Sequence, residues 1–157
     1  MKRICLALLA LLLSACGVEP SGPTAGGEAP TGIAPGTTLY FVDARHELRP
    51  QLRNTGSLGT ISEALSLLLS GPGGSGLHTE IASNAVPRVV VTTEPGVIRL
   101  LVPLTVHELS SLGIDQLVCT ALDVHVRGGG PRNTKVRVVF TQPTPESEVL
   151  RSCPLIT

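Results

Sequence analysis

Tryptophan is absent from this chain, and the aromatic count stops at Tyr40, Phe41 and Phe140. So few flat rings leave fewer than the usual number of stacking platforms for nucleobases and argue against an aromatic face for sugars. Charge of one sign is also lacking, with 12 basic residues against 12 acidic. That balance excludes a strongly basic nucleic-acid binder. Long hydrophobic runs are missing too. The longest, Ile4 to Leu13, has ten residues, whereas a membrane-crossing helix needs roughly 20.

Catalytic spacings are equally scarce. His46, His78, His107 and His125 form no H-x-x-H pattern, and His46-Glu47 and His107-Glu108 begin H-E-x-x-H without completing it. Spacing therefore predicts no metal site, and the histidines read as solvated loop or strand-end residues. Asp43, Asp115 and Asp123 fall at element edges or on the polar side of a helix, where solvation accounts for them. Gly71-Pro72-Gly73-Gly74-Ser75-Gly76 matches G-x-G-x-x-G in letters. Its glycines follow a helix, however, whereas a dinucleotide fingerprint opens one after a strand. Ser75 is no nucleophile elbow, because Leu77 stands where G-x-S-x-G requires glycine. These residues give no expectation of a cofactor or of an enzyme; an enzyme of this size should show a nucleophile, metal or carboxylate arrangement.

What is present begins with an address. Lys2 and Arg3 make a positive start, Ile4 to Leu13 an apolar segment, and small Ser14 and Ala15 precede Cys16. Leu13-Ser14-Ala15-Cys16 resembles the lipobox of bacterial lipoproteins. The resemblance implies cleavage before Cys16, lipid on its sulfur and new amino group, and a protein anchored on the extracytoplasmic face of the cell membrane. Residues 1–15 are then a signal peptide. The 142 residues left carry 10 basic and 12 acidic groups, since Lys2 and Arg3 depart.

Residues 16–37 read as the lipidated cysteine and a tether, because Gly17 to Gly36 holds six glycines and four prolines without apolar periodicity. As a coil it spans roughly 25 Å, and nearer 60 Å if extended. Of four cysteines, Cys5 leaves with the signal and Cys16 carries lipid. Cys119 and Cys153 face an oxidising exterior, where a pair is more often bridged than free. The other reading keeps Cys119 as a small buried apolar residue and Cys153 exposed in a tail.

A folded domain is expected over residues 38–142, with 143–157 as a C-terminal tail. Leu39 to Val42 reads as a strand, and Leu48 to Arg53 as a second strand kept at an edge by Pro50. Thr60 to Gly71 reads as a helix. Thr60 and Glu63 have capping-box spacing, Ile61, Ala64, Leu65 and Leu68 make an apolar stripe, and Gly71-Pro72 stops it. Val86 to Thr93 and Val97 to Val102 flank Glu94-Pro95-Gly96 as a hairpin, whose unbroken apolar runs predict a central position partly covered on both faces. A second helix is expected over about Val106 to Asp123, with Thr105–Glu108 at capping-box spacing and Gly113, costly inside a helix, marking a place where it breaks or starts. Val136, Val138 and Phe140 alternate along a last strand. Arg45, Arg49 and Arg53, spaced by four, would share one face of an extended strand. They form a candidate partner-binding surface, or else charges that guard an edge against aggregation.

This order of elements resembles the GerMN domain of spore-germination-type lipoproteins. The resemblance rests on Leu39-Tyr40-Phe41-Val42-Asp43 with Leu48, Glu63-Ala64-Leu65 through Leu69-Ser70-Gly71-Pro72, Gly76-Leu77, and Gln116-Leu117-Val118-Cys119-Thr120. It spans roughly Thr38 to Thr141. Ile81-Ala82-Ser83 stands where such domains often carry proline, and Cys119 where they carry an aromatic. The resemblance implies an α+β domain, a mixed or antiparallel sheet of about five strands with two helices packed on it, similar to the ring-building modules of secretion and sporulation assemblies. It also implies a non-catalytic module that engages an envelope protein or peptidoglycan, with weak self-association. A small-ligand receptor or an envelope hydrolase is the alternative, marked by an apolar pocket with convergent polar groups.

The address is directly testable. A fatty-acid probe fed to cells should label the native protein and fail to label Cys16→Ala, because the sulfur is the acylation point; equal labelling of both would contradict the lipoprotein reading.

Overall fold

In a computed structural model the described residues are 36–56, 59–82 and 88–156. The signal peptide, Cys16, the tether through residue 35 and the Val86 start of the hairpin lie outside them. Six strands and two α-helices are described, so the α+β expectation holds. The strands do not form one sheet of about five. They divide into a two-stranded ribbon and a four-stranded sheet.

The ribbon pairs β1 (Thr37–Val42) with antiparallel β2 (Leu48–Arg53), Tyr40 opposite Pro50. Tyr40 turns its N–H and C=O away from β2, so this is a non-hydrogen-bonded pair. The donor that Pro50 lacks therefore belongs to the outer edge, where proline is tolerated. Every residue of β1 is buried.

Helix α1 (Ile61–Leu69) begins as its sequence predicts. Thr60 Oγ1 accepts from the Glu63 amide, while the Glu63 carboxylate accepts from the Thr60 amide. Ala64, Leu65 and Leu68 are its buried stripe, and Gly71 takes a left-handed φ of 88° beyond its end.

The second sheet has the order β3 (Val90–Glu94), β4 (Val97–Leu101), β5 (Lys135–Val139), β6 (Leu150–Arg151). Pro95-Gly96 turns the antiparallel β3–β4 hairpin, with Gly96 at φ 76°. The expectation of a central hairpin partly covered on both faces is corrected in part: β4 is central, between β3 and β5, but β3 is a largely exposed edge, and β4 alternates Ile98 and Leu100 inward with Arg99 and Leu101 outward. Valine and leucine runs here do not mean two-sided burial.

Helix α2 (Ser111–Arg127) connects β4 to β5, which run parallel, as a crossover helix allows. It starts later than the capping spacing at Thr105 implied. That box closes a single 3-10 turn, Val106–Glu108, and Ser110 caps α2 by accepting from the Gly113 amide. As the cost of a glycine inside a helix implied, α2 starts near Gly113, where a Cβ would stand 2.7 Å from the Glu80 carbonyl oxygen. Residues Gln116 to Leu122 are all buried, since α2 packs against β1, α1 and β5 together. Among the described residues no helix is long and apolar enough to cross a membrane.

The C-terminal stretch is part of the sheet and no tail. Its residues supply β6, and Cys153 is bonded to Cys119 of α2 with α-carbons 4.7 Å apart. The bridge, between residues 34 apart, constrains the unfolded chain by on the order of 3 to 4 kcal/mol in the chain-entropy account.

Candidate functional site

Several long-range polar contacts meet β1 at Tyr40 and at its last residue, Val42. Val42 and His78 exchange both backbone hydrogen bonds, 2.9 and 2.8 Å, so the chain after α1 is bridged to the end of β1. Gln116, fully buried on α2, donates from Nε2 to the Tyr40 carbonyl at 2.9 Å and accepts from the Glu80 amide at 2.8 Å. Thr120 Oγ1 accepts from the Tyr40 amide at 3.2 Å. Two side chains of α2 thereby satisfy a strand edge that no further strand pairs among the described residues. The Tyr40 hydroxyl reaches Asp123 at 3.5 Å. Burial, reinforced by the Asp123 charge, pushes the Tyr40 phenol up to about 12.

The three arginines do not form one stripe. Arg45 sits in the turn before β2 and is exposed. Arg49 bonds Asp43 at 2.8 Å and also Glu47. Arg53 donates to the Gly71 carbonyl at 2.6 Å, tying the ribbon to the end of α1. Two of the three cations are thus engaged within the molecule. Asp43 caps the turn, accepting from the Arg45 and Glu47 amides at 2.9 and 3.0 Å. Asp115 has its carboxyl raised by burial, against the opposing pull of Arg151. Asp123 pairs with Arg127 at 2.6 Å.

The fold brings together one group that spacing missed. His46, His78 and Glu80 place their nitrogen and oxygen atoms within 4.8 Å of one another. Glu80 Oε1 lies 3.3 Å from His78 Nε2 and 3.8 Å from His46 Nδ1. Their sequence separation hides them; the only signal was His46-Glu47 as an unfinished pattern, and its glutamate is not the one used.

Two surfaces complete the description. A cleft of about 700 Å³ between the start of α1, β3 and the end of α2 is lined by Thr60, Ser62, Thr93, His125 and Gly129 among others. Its Thr60 is committed to the α1 cap and its His125 to Thr134 at 3.1 Å. The outer face of the four-stranded sheet carries Val90 opposite Leu101, beside Val139, and then Thr92, Arg99, Arg137 and Leu150 in the next row. Val90, Leu101 and Leu150 are 54%, 44% and 47% exposed, which is unusual for the solvent side of a sheet.

These elements define an α+β domain with helices packed between a ribbon and a mixed sheet. Among solved structures, the tandem GerMN domains of the sporulation protein GerM from Bacillus subtilis match it with a TM-score of 0.50 and 19% identity, covering 84% of this chain and 49% of that one. The described fold is thus GerMN-like, and the chain spans about half the length of that protein. No protein-family model matches the chain, and neither does any curated protein.

The turn has a measurable signature. Hydrogen bonds from Arg49, then from the Glu47 amide, hold the Asp43 carboxyl down to about 2 from its ordinary 3.8. A depressed carboxyl stabilises the fold above its unfolded value and loses that contribution as pH falls toward 2. Carboxyl-detected NMR should therefore titrate Asp43 near pH 2, and in Arg49→Ala the midpoint should rise toward the ordinary value; an unmoved midpoint would show that Arg49 does not hold it.

Proposed function

We propose that this chain is a lipid-anchored envelope lipoprotein whose GerMN-like domain is a non-catalytic docking module for a protein partner. The lipobox resemblance and the Gly/Pro-rich tether support the address, and the fold shared with a sporulation protein supports a role in sporulation or an envelope process of that kind. The observation that carries the reading is the outer sheet face. Val90, Leu101 and Leu150 expose apolar surface there, with Arg99 and Arg137 in the same row of side chains as Leu150. Arg137 is paired with Glu148 at 3.3 Å, so exposed Arg99 is the cation beside this apolar area, which fits a partner that presents an apolar strip with a carboxylate. Arg45 and the β2 edge, whose Arg49 and Arg53 are engaged internally, form a lesser contact that favours weak self-association over open-ended pairing, because Pro50 lacks a donor. The cleft beside α1 favours a second reading, a small-ligand receptor, on its volume alone.

The test is site-specific photocrosslinking in cells. A probe at Leu101 should join the protein to a discrete protein partner, and Val90→Asp should abolish that adduct while changing stability by less than about 0.5 kcal/mol, as exposed substitutions do. A probe at exposed Ser66 of α1 should give no such adduct. Adducts from Ser66 and none from Leu101, or a Leu101 probe that captures only peptidoglycan, would overturn the reading.

A further inference from the structure

We propose that His46, His78 and Glu80 bind a divalent first-row transition metal ion, Zn²⁺ being the fitting one. Two imidazole nitrogens and one carboxylate oxygen make a borderline donor set suited to such ions, and a poor one for Ca²⁺ or Mg²⁺, which take oxygen ligands. The geometry is near that of a bound site. A tetrahedron with bonds of about 2.0–2.1 Å has edges of about 3.3 Å, and His78 Nε2 to Glu80 Oε1 is 3.3 Å already. His46 Nδ1 to Glu80 Oε1, at 3.8 Å, must close only slightly. The His46 and His78 rings stand edge to face with centroids 6.0 Å apart; each has one nitrogen near the same Glu80 oxygen, and the two nitrogens lie within 4.8 Å of each other.

The supporting contacts hold two of the three ligands firmly and leave one adjustable. The backbone of His78 is fixed by its paired bonds to Val42. Glu80 is fixed through its amide by Gln116, and its Oε2 accepts from the Ser110 hydroxyl at 3.1 Å, which leaves Oε1 for the ion. His46 is the exposed member, 73% open at its side chain, on a turn where it takes a φ of 59°, the only positive φ outside glycine among the described residues. A ligand on a surface turn moves at low cost to complete the sphere. Three protein ligands also leave a position for water or for a group from another molecule. Bound metal would clamp the β1–β2 turn to the segment after α1.

The experiment titrates Zn²⁺ and Co²⁺ into the untagged full chain, alkylated without reduction so that Cys5 and Cys16 do not compete. Calorimetry should show one ion per chain, and Co²⁺ should give visible ligand-field bands without a thiolate charge-transfer band. Affinity should fall at least ~10-fold, the scale on which even supporting residues of metal sites act, in His78→Ala and in His46→Asn, whose asparagine accepts the left-handed turn position. His107→Ala should bind as the native protein does. Should His78→Ala fail to fold by circular dichroism, His46→Asn decides. An isotherm indistinguishable from native in His46→Asn, or lost equally in His107→Ala, would overturn the site.

Discussion

One buried amide holds the domain's parts in register. Gln116 is wholly removed from water, and a group so buried must find partners or cost roughly 1 to 3 kcal/mol for each one missing. It finds them on two different segments, the Tyr40 carbonyl of β1 and the Glu80 amide of the stretch after α1. The ribbon, the loop and the central helix are thereby joined at a single side chain. Thr120, one turn further on, takes the Tyr40 amide. A strand edge that would otherwise need another strand is closed by a helix.

From that junction the remaining architecture follows. With β1 on one side and β5 on the other, α2 has no wet face along Gln116 to Leu122, and Cys119 in its middle meets Cys153. Because α2 must approach the Glu80 carbonyl closely, residue 113 has to be glycine. The four-stranded sheet then has one face on the core and one left outward, where Val90, Leu101 and Leu150 lie. The proposed docking face and the proposed metal cluster occupy different parts of the molecule, one on the outer sheet, the other at the end of the ribbon.

Local signals were legible in the residues, and long-range ones were not. Thr60 with Glu63, and Gly71 before Pro72, delimit α1 by backbone chemistry that acts within a few positions. Glu94-Pro95-Gly96 likewise determines its turn. The start of α2 carried two signals: Gly113 marked the true one, while Thr105 and Glu108 form a capping box on a turn that ends three residues later, at Glu108. The arginine stripe assumed an extended chain from residue 45, but the strand begins at Leu48, so Arg45 falls in the turn. His46, His78 and Glu80 are brought together by the Val42–His78 bridge and the Gln116 junction, which no short-range pattern encodes. Gln116-Leu117-Val118-Cys119-Thr120 stood out as a family-like motif, and its physical reason, the two bonds to Tyr40, became readable only in three dimensions.

The most direct measurement of this account is amide hydrogen exchange in Gln116→Leu, which replaces the amide with an apolar side chain of similar size and so removes both hydrogen bonds. The account predicts that the Glu80 amide, which donates to Gln116, loses its protection and that exchange quickens through the neighbouring segment to Ile81, while β4 and β5 amides keep theirs. Unchanged protection at Glu80, or a uniform loss across both sheets, would contradict the claim that this amide is the junction between the ribbon, the loop and α2.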